Sequence, residues 1–86
     1  MKILDIRPAP PGVGRTIAHF DVQLTDDLRL YGLRLIQTED GRYLSYAPNA
    51  HGVRVATFAP TLADTISRAA SVAYREGIAV HDHRQS

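Results

Sequence analysis

The arginines of this chain are its best candidates for a chemical task, because a guanidinium group binds phosphate through several donors in one plane. Arg68 and Arg75 lie seven residues apart, which places them on one side of a predicted helix, and Arg54 lies on a predicted strand that follows a loop. A nucleic-acid surface needs such cations on one side of the molecule. We therefore predict Arg54, Arg68 and Arg75 as nucleic-acid-binding residues.

An ordinary helix surface is the competing interpretation of the two helical arginines. Asp64 precedes Arg68 by four residues, so the two side chains are able to form an ion pair. A solvated helix face of balanced charge is also the more frequent structure for this pattern.

Tyr43 and Tyr46 are able to stack on nucleic-acid bases, as aromatic side chains do in proteins that bind single strands. They lie three positions apart on a predicted strand, so their side chains point to opposite faces. At least one of them therefore belongs to the core or to an interface.

His19 lies on the polar side of its own predicted strand and is expected at the surface or in an interface.

Histidines near the end of the sequence have the side chains of a metal site. His81 and His83 would need His51 or Asp82 as further ligands, and their position in a polar tail favours a frayed segment, so we predict no metal site.

Gly12–Arg15 begins like a phosphate-binding loop, but no lysine–serine pair follows and a strand comes next. A nucleophile elbow and paired carboxylates on a scaffold are also missing from the sequence. We therefore predict no enzyme and no cofactor.

Length and composition limit the class of protein further. The chain has 86 residues, with 10 lysines and arginines against 9 aspartates and glutamates, and no cysteine. This allows one domain and excludes disulfides and thiolate metal sites. The net charge of +1 is smaller than the basic excess that usually marks a nucleic-acid-binding domain. The sequence lacks the apolar run of a membrane span or signal peptide, so a cytoplasmic protein is predicted.

Alternation of apolar and polar residues predicts an antiparallel sheet of four to five strands followed by one helix. Thr61 is the predicted N-cap of that helix, with Asp64 near its positive end, and Gly77 is its predicted end. The fold class is α+β, with a single domain over residues 1–77 and a polar tail over residues 78–86. The predicted strands span residues 2–7, 16–24, 28–37 and 42–46, with a fifth strand or an irregular edge at residues 53–58.

The helix is expected to pack on one face of the sheet. Its apolar stripe is rich in alanine, and small side chains let a helix lie close to a sheet. The second strand offers an apolar face to receive it. The stripe consists of Leu62, Ile66, Ala69, Ala70 and Ala73, and the sheet face consists of Ala18, Phe20, Val22 and Leu24.

The third strand has apolar residues in both alternating phases. Leu28 and Leu30 keep one phase, and the second set, Tyr31, Leu33 and Leu35, keeps the other. Either a bulge at Gly32 shifts the phase, or both faces of this strand are covered. We predict the second explanation, with a homodimer interface formed by Tyr31, Leu33 and Leu35.

Three strings of the chain carry a family likeness: ILDIR at residues 3–7, VQLTDDLRLYGLRLI at residues 22–36 and DGRYLSYAP at residues 40–48. Pro60, Ile66 and Tyr74 extend the likeness into the helix. Together these residues resemble the stage V sporulation protein G (SpoVG) family of small bacterial regulators. The similarity covers roughly residues 1–76 and consists of hydrophobic and turn residues.

The resemblance implies an antiparallel sheet with a C-terminal helix, a homodimer, and gene regulation through binding of DNA or RNA. The chain departs from the family where Asn49 and Ala50 stand in place of a basic pair. Two functions are therefore carried forward. The first is a small dimeric nucleic-acid-binding regulatory protein. The alternative is a dimeric protein-interaction module of the same fold that has lost nucleic-acid binding.

Overall fold

A computed structural model of the chain describes residues 1–10, 14–50, 53–54 and 56–85, and for residues 49–50, 53–54 and 78–85 it describes the backbone alone. Four strands form one antiparallel sheet in the order β1-β2-β3-β4, and a helix follows, which confirms the predicted α+β class. These elements are β1 (Lys2–Pro8), β2 (Thr16–Thr25), β3 (Leu28–Gln37), β4 (Tyr43–Tyr46) and α1 (Pro60–Gln85).

Along the chain, two further short strands come between the four-stranded sheet and the helix. They are β5 (Asn49–Ala50) and β6 (Val53–Arg54), which pair with each other in a separate two-stranded sheet. Residues 53–54 of the predicted fifth strand over residues 53–58 are a strand, and residues 56–59 have no regular structure. The predicted loop over residues 48–52 contains β5.

The core lies between α1 and one face of the four-stranded sheet. Ile66 and Ala70 of the helix are fully buried, which confirms that the helix packs on the face carrying Phe20. Leu62 does not belong to this contact, since it is 38% exposed. The other fully buried apolar residues are Ala18, Val22, Leu33 and Leu35.

Two serines of the helix also face the sheet. Ser67 donates its hydroxyl proton to Oγ of Ser45 on β4 over 2.9 Å, and both side chains are buried. Ser71 is buried as well, and its hydroxyl donates to the carbonyl oxygen of Arg68. Small hydroxyl side chains thus serve the close helix–sheet contact alongside the predicted alanines.

A β-bulge at Gly32 resolves the two phases of β3. Phe20 pairs with Leu33 but Val22 pairs with Leu30, so β3 carries one residue more than β2 between these pairs. Gly32 has a φ of 71°, a conformation that a residue without Cβ adopts at little cost. The bulge brings Leu33 back to the same face as Leu30, against the helix.

The predicted homodimer interface at Leu33 and Leu35 is therefore wrong. Leu33 is 1% exposed and Leu35 is 0% exposed, because both side chains belong to the core of their own chain. Tyr31 is the exception, at 60% exposed. The sequence allowed either a bulge at Gly32 or coverage of both faces of β3, and the structure has the bulge.

Both predicted helix ends differ from the structure. The helix begins at Pro60, and the N–H of Ala63 already donates to the carbonyl oxygen of Ala59 over 2.9 Å, so Thr61 lies inside the first turn and is not the N-cap. Proline suits this first position because its missing N–H has no partner there. At the other end, Gly77 lies within the helix, which continues to Gln85.

Gly77 lies where the helix passes over β1. A Cβ atom built on it would be 3.7 Å from Cγ2 of Ile6. The helix therefore crosses the sheet from β4, at Ser67, to β1, at Gly77. Within the part of the chain that the structure describes, no helix is long and apolar enough to cross a membrane.

Candidate functional site

The face of the four-stranded sheet opposite α1 carries a row of polar side chains. Arg7 pairs with His19, His19 pairs with Arg34, and Arg34 pairs with Tyr46, one residue from each strand. Each alternates along its strand with a residue that packs in the core, so all four point away from the helix. We call Arg7, His19, Arg34 and Tyr46 the open-face row. With strands about 4.8 Å apart, it spans about 14 Å.

The β1 end of the open-face row is compensated by acidic side chains. Arg7 lies 2.5 Å from Oδ2 of Asp5 and 3.3 Å from Oδ2 of Asp21. Hydrogen bonds from Arg7 and from the backbone N–H of Gly32 lower the pKa of Asp21 below its usual value. The bonds to Asp21 and Asp5 in turn raise the pKa of Arg7. One cation is therefore held between two carboxylates, and this end carries a formal charge of −1.

The β4 end of the open-face row has the opposite character. The guanidinium carbon of Arg34 lies 5.8 Å from the centre of the Tyr46 ring, within the range of a cation–π contact. No carboxylate among the described side chains lies within ion-pair distance of Arg34. Tyr46 is 45% exposed. A cation without a carboxylate partner among the described side chains therefore lies over an accessible aromatic ring.

A cleft of about 540 Å³ opens beside this end of the row. Arg34 and Tyr46 line it, together with Ile36 of β3 and Phe58 of the segment that leads into the helix. Ile36 pairs with Leu44 across β3 and β4, so the open face next to Arg34 and Tyr46 is aliphatic on these two strands. The cleft thus combines a cation, two aromatic rings and aliphatic surface, a composition typical of ligand sites.

The two tyrosines of β4 occupy different environments, as their spacing predicts. Tyr43 is partly buried and packs against the core cluster, whereas Tyr46 is exposed on the open face. Tyr46 is therefore the one of the pair that is available to a ligand.

Two of the three predicted nucleic-acid-binding arginines lie on the helix and not on the open-face row. Arg68 and Arg75 are exposed on α1, which packs on the opposite face of the sheet from the open-face row. Among the described side chains, no ion pair joins Arg68 to Asp64. Arg54 lies on the backbone of β6, and its side chain is outside the described residues.

Two members of the open-face row, Arg34 and Arg7, were not singled out by the sequence. Alternation along β2 and β3 places His19 and Arg34 on the polar side, but only the pairing of the strands shows that they are neighbours.

The candidate metal ligands His51, His81, Asp82 and His83 lie outside the described side chains. The described residues contain no group of three or more metal-ligating side chains.

Comparisons with known proteins add no relative. No protein-family model matches the sequence, and no curated protein and no solved structure was found to match it.

Proposed function

We propose that this chain is a small nucleic-acid-binding regulatory protein that binds through the open face of its sheet. The observation that carries the proposal is the contact between Arg34 and Tyr46, in which a cation without a described carboxylate partner lies beside an exposed aromatic ring. Phosphate attracts the guanidinium group, and a base is attracted to the ring. The likeness to the SpoVG family points to the same kind of ligand.

The predicted helical site is a separate surface within this proposal. Arg68 and Arg75 are exposed on α1, which covers the opposite face of the sheet, so a nucleic acid on the open-face row does not reach them without wrapping around the molecule. Variants of each surface therefore show which one binds. Arg15 is the control for the loss of one positive charge, because it is an exposed arginine that forms an ion pair of 2.7 Å with Glu39.

Retardation and anisotropy measurements with mixed single- and double-stranded DNA and RNA, over a series of salt concentrations, test the proposal. We expect binding that weakens as salt rises, because bound phosphates release counterions. Arg34→Gln should weaken binding and lower the salt slope by about 1, while Arg15→Gln should leave both unchanged. A loss confined to a variant in which Arg68 and Arg75 are both changed to Gln would place the site on the helix, and a loss that requires Arg54→Gln would place it at β6.

Self-association is the second part of the proposal. Tyr31 is 60% exposed next to the bulge, and the family likeness points to a homodimer. Leu4 and Leu28 are further exposed apolar side chains on β1 and β3. A symmetric contact that includes Tyr31 would remove apolar surface from water without requiring the buried residues of β3.

A protein-interaction module is the second candidate function. Three arginines, Arg7, Arg15 and Arg42, are already paired with acidic side chains, which leaves a surface of nearly balanced charge. If the wild-type chain binds no nucleic acid at low salt, this function replaces the first.

A further inference from the structure

We infer that the β4 end of the open-face row binds a single-stranded polynucleotide, with one base stacked against Tyr46 beside Arg34. This inference rests on the proposed function and adds the class of nucleic acid and the contact that selects it. The shared chemistry is an unpaired base on a sugar–phosphate chain, which DNA and RNA both supply.

The shape of the surface favours a single strand. Duplex recognition commonly places a helix or a two-stranded ribbon in the major groove, whereas the open face is one side of a four-stranded sheet. Bases in a duplex are also stacked on one another, so their faces are not available to a tyrosine. In a single strand the bases can be turned outward and stacked on aromatic side chains.

The charges of the open-face row place the strand over β3 and β4. Asp5 and Asp21 surround Arg7 and repel phosphate at the β1 end. At the other end Arg34 has no described acidic partner, so a phosphate next to the stacked base meets an available cation. The bound chain therefore lies beside the cleft and away from the acidic pair.

The cleft beside β4 provides room for the base. Its volume of about 540 Å³ falls in the range of ligand-binding pockets, and Tyr46 and Phe58 line it with aromatic surface. Ile36 adds apolar surface on which a base or sugar can rest. Arg34 already contacts the Tyr46 ring, so a base that stacks there also comes within reach of the guanidinium group.

The test compares Tyr46→Leu with Tyr46→Phe in the full-length chain. Both variants remove the hydroxyl group, but only phenylalanine keeps the ring, so only leucine should lose the stacking contact. The probes are a short labelled mixed-sequence DNA strand, the RNA strand of the same sequence, and the DNA strand annealed to its complement. Circular dichroism and thermal unfolding establish that each variant is folded.

We expect the wild type to bind a single strand more tightly than the duplex. Tyr46→Leu should weaken single-strand binding about 5- to 150-fold, the effect of losing one stacked base, and Tyr46→Phe should leave it nearly unchanged. Comparison of the DNA and RNA strands shows which source of the unpaired base is preferred. Duplex binding should not respond to Tyr46→Leu.

Two other outcomes overturn the inference in different ways. Duplex binding that equals or exceeds single-strand binding, or a Tyr46→Leu variant with unchanged affinity, removes the stacking contact but leaves the proposed nucleic-acid function in place. Absence of binding to all three probes at low salt removes the proposed function together with this inference.

Discussion

The backbone N–H of Gly32 donates a hydrogen bond of 2.9 Å to Oδ1 of Asp21, at the point where β3 carries its extra residue. Arg7 holds the same carboxylate from β1, with hydrogen bonds of 3.3 Å to each of its oxygens. Asp21 of β2 therefore accepts a hydrogen bond from the bulge in β3 and forms an ion pair with Arg7 of β1. The bulge in turn directs Leu33 and Leu35 into the core, so this carboxylate supports the central packing of the domain.

Gly32→Ala should destabilise the fold by about 1–2 kcal/mol, because an alanine at a φ of 71° is strained. Open space surrounds the position where its Cβ would stand, so the effect comes from the backbone and not from a clash. Gly77→Ala is the matched control. It should stabilise by about 0.5–1 kcal/mol, since the glycine is inside a helix. Urea unfolding of both variants tests the pair; equal effects would contradict the assigned backbone conformations.

Acid should destabilise the protein in part through Asp21. The native pKa of this carboxyl lies below its value in the unfolded chain, mainly because Arg7 donates hydrogen bonds to it. Folding stability from this group is therefore present above the unfolded pKa and is lost as the pH falls through the native pKa. Asp21→Asn should be less stable at neutral pH and should flatten the loss of stability in acid. The measurement is the free energy of unfolding of the wild type and of Asp21→Asn as a function of pH, from neutral to acid. If this free energy fell equally steeply with pH in both proteins, the assignment to Asp21 would be contradicted.

Ile66→Ala should cost about 2–5 kcal/mol of stability, because the side chain is fully buried between the helix and the sheet. Leu62→Ala, on the exposed part of the same helix, should cost much less. The midpoints of chemical unfolding compare the two variants directly. If Ile66→Ala had the same unfolding midpoint as the wild type, the helix would not pack on the face of the sheet that carries Phe20.

Leu33→Asp should unfold the chain, because it would place a charge at a position that is 1% exposed. Tyr31→Asp should remain folded, since that side chain is largely in solvent. If a homodimer forms around Tyr31, sedimentation should give twice the 9.5 kDa chain mass for the wild type and the single-chain mass for this variant. A folded Leu33→Asp variant would contradict the bulge.

Much of the fold could be predicted from alternation alone. The bounds of β3 agree with the predicted residues 28–37, and the buried residues of β2 are those of its apolar phase. Local patterns are informative there because one face of the sheet is packed and the other is not. The apolar stripe also predicts the correct face for the helix, since the buried residues Ile66 and Ala70 belong to it.

The remaining features depend on interactions between distant residues. The phases of β3 allowed either a bulge or a covered second face, and only pairing with β2 decides between them. Gly77 has the residue type of a helix end, yet it lies against Ile6 of the first strand. The open-face row brings Arg7 and Tyr46 into one line although 39 positions separate them, and a sequence pattern does not contain that register.

The path of α1 across the sheet has a consequence for the order in which the chain folds. The ten helical steps from Ser67 to Gly77 cover about 15 Å, close to the width of four strands, so the helix joins the last strand of the sheet to the first. In the described part of the chain each strand pairs with its sequence neighbours, so the strands are able to assemble as they are made. Leu33 and Leu35 nevertheless stay uncovered until Ile66 and Ala70 have left the ribosome. We therefore expect helix docking, the contact of longest range, to limit the rate of folding.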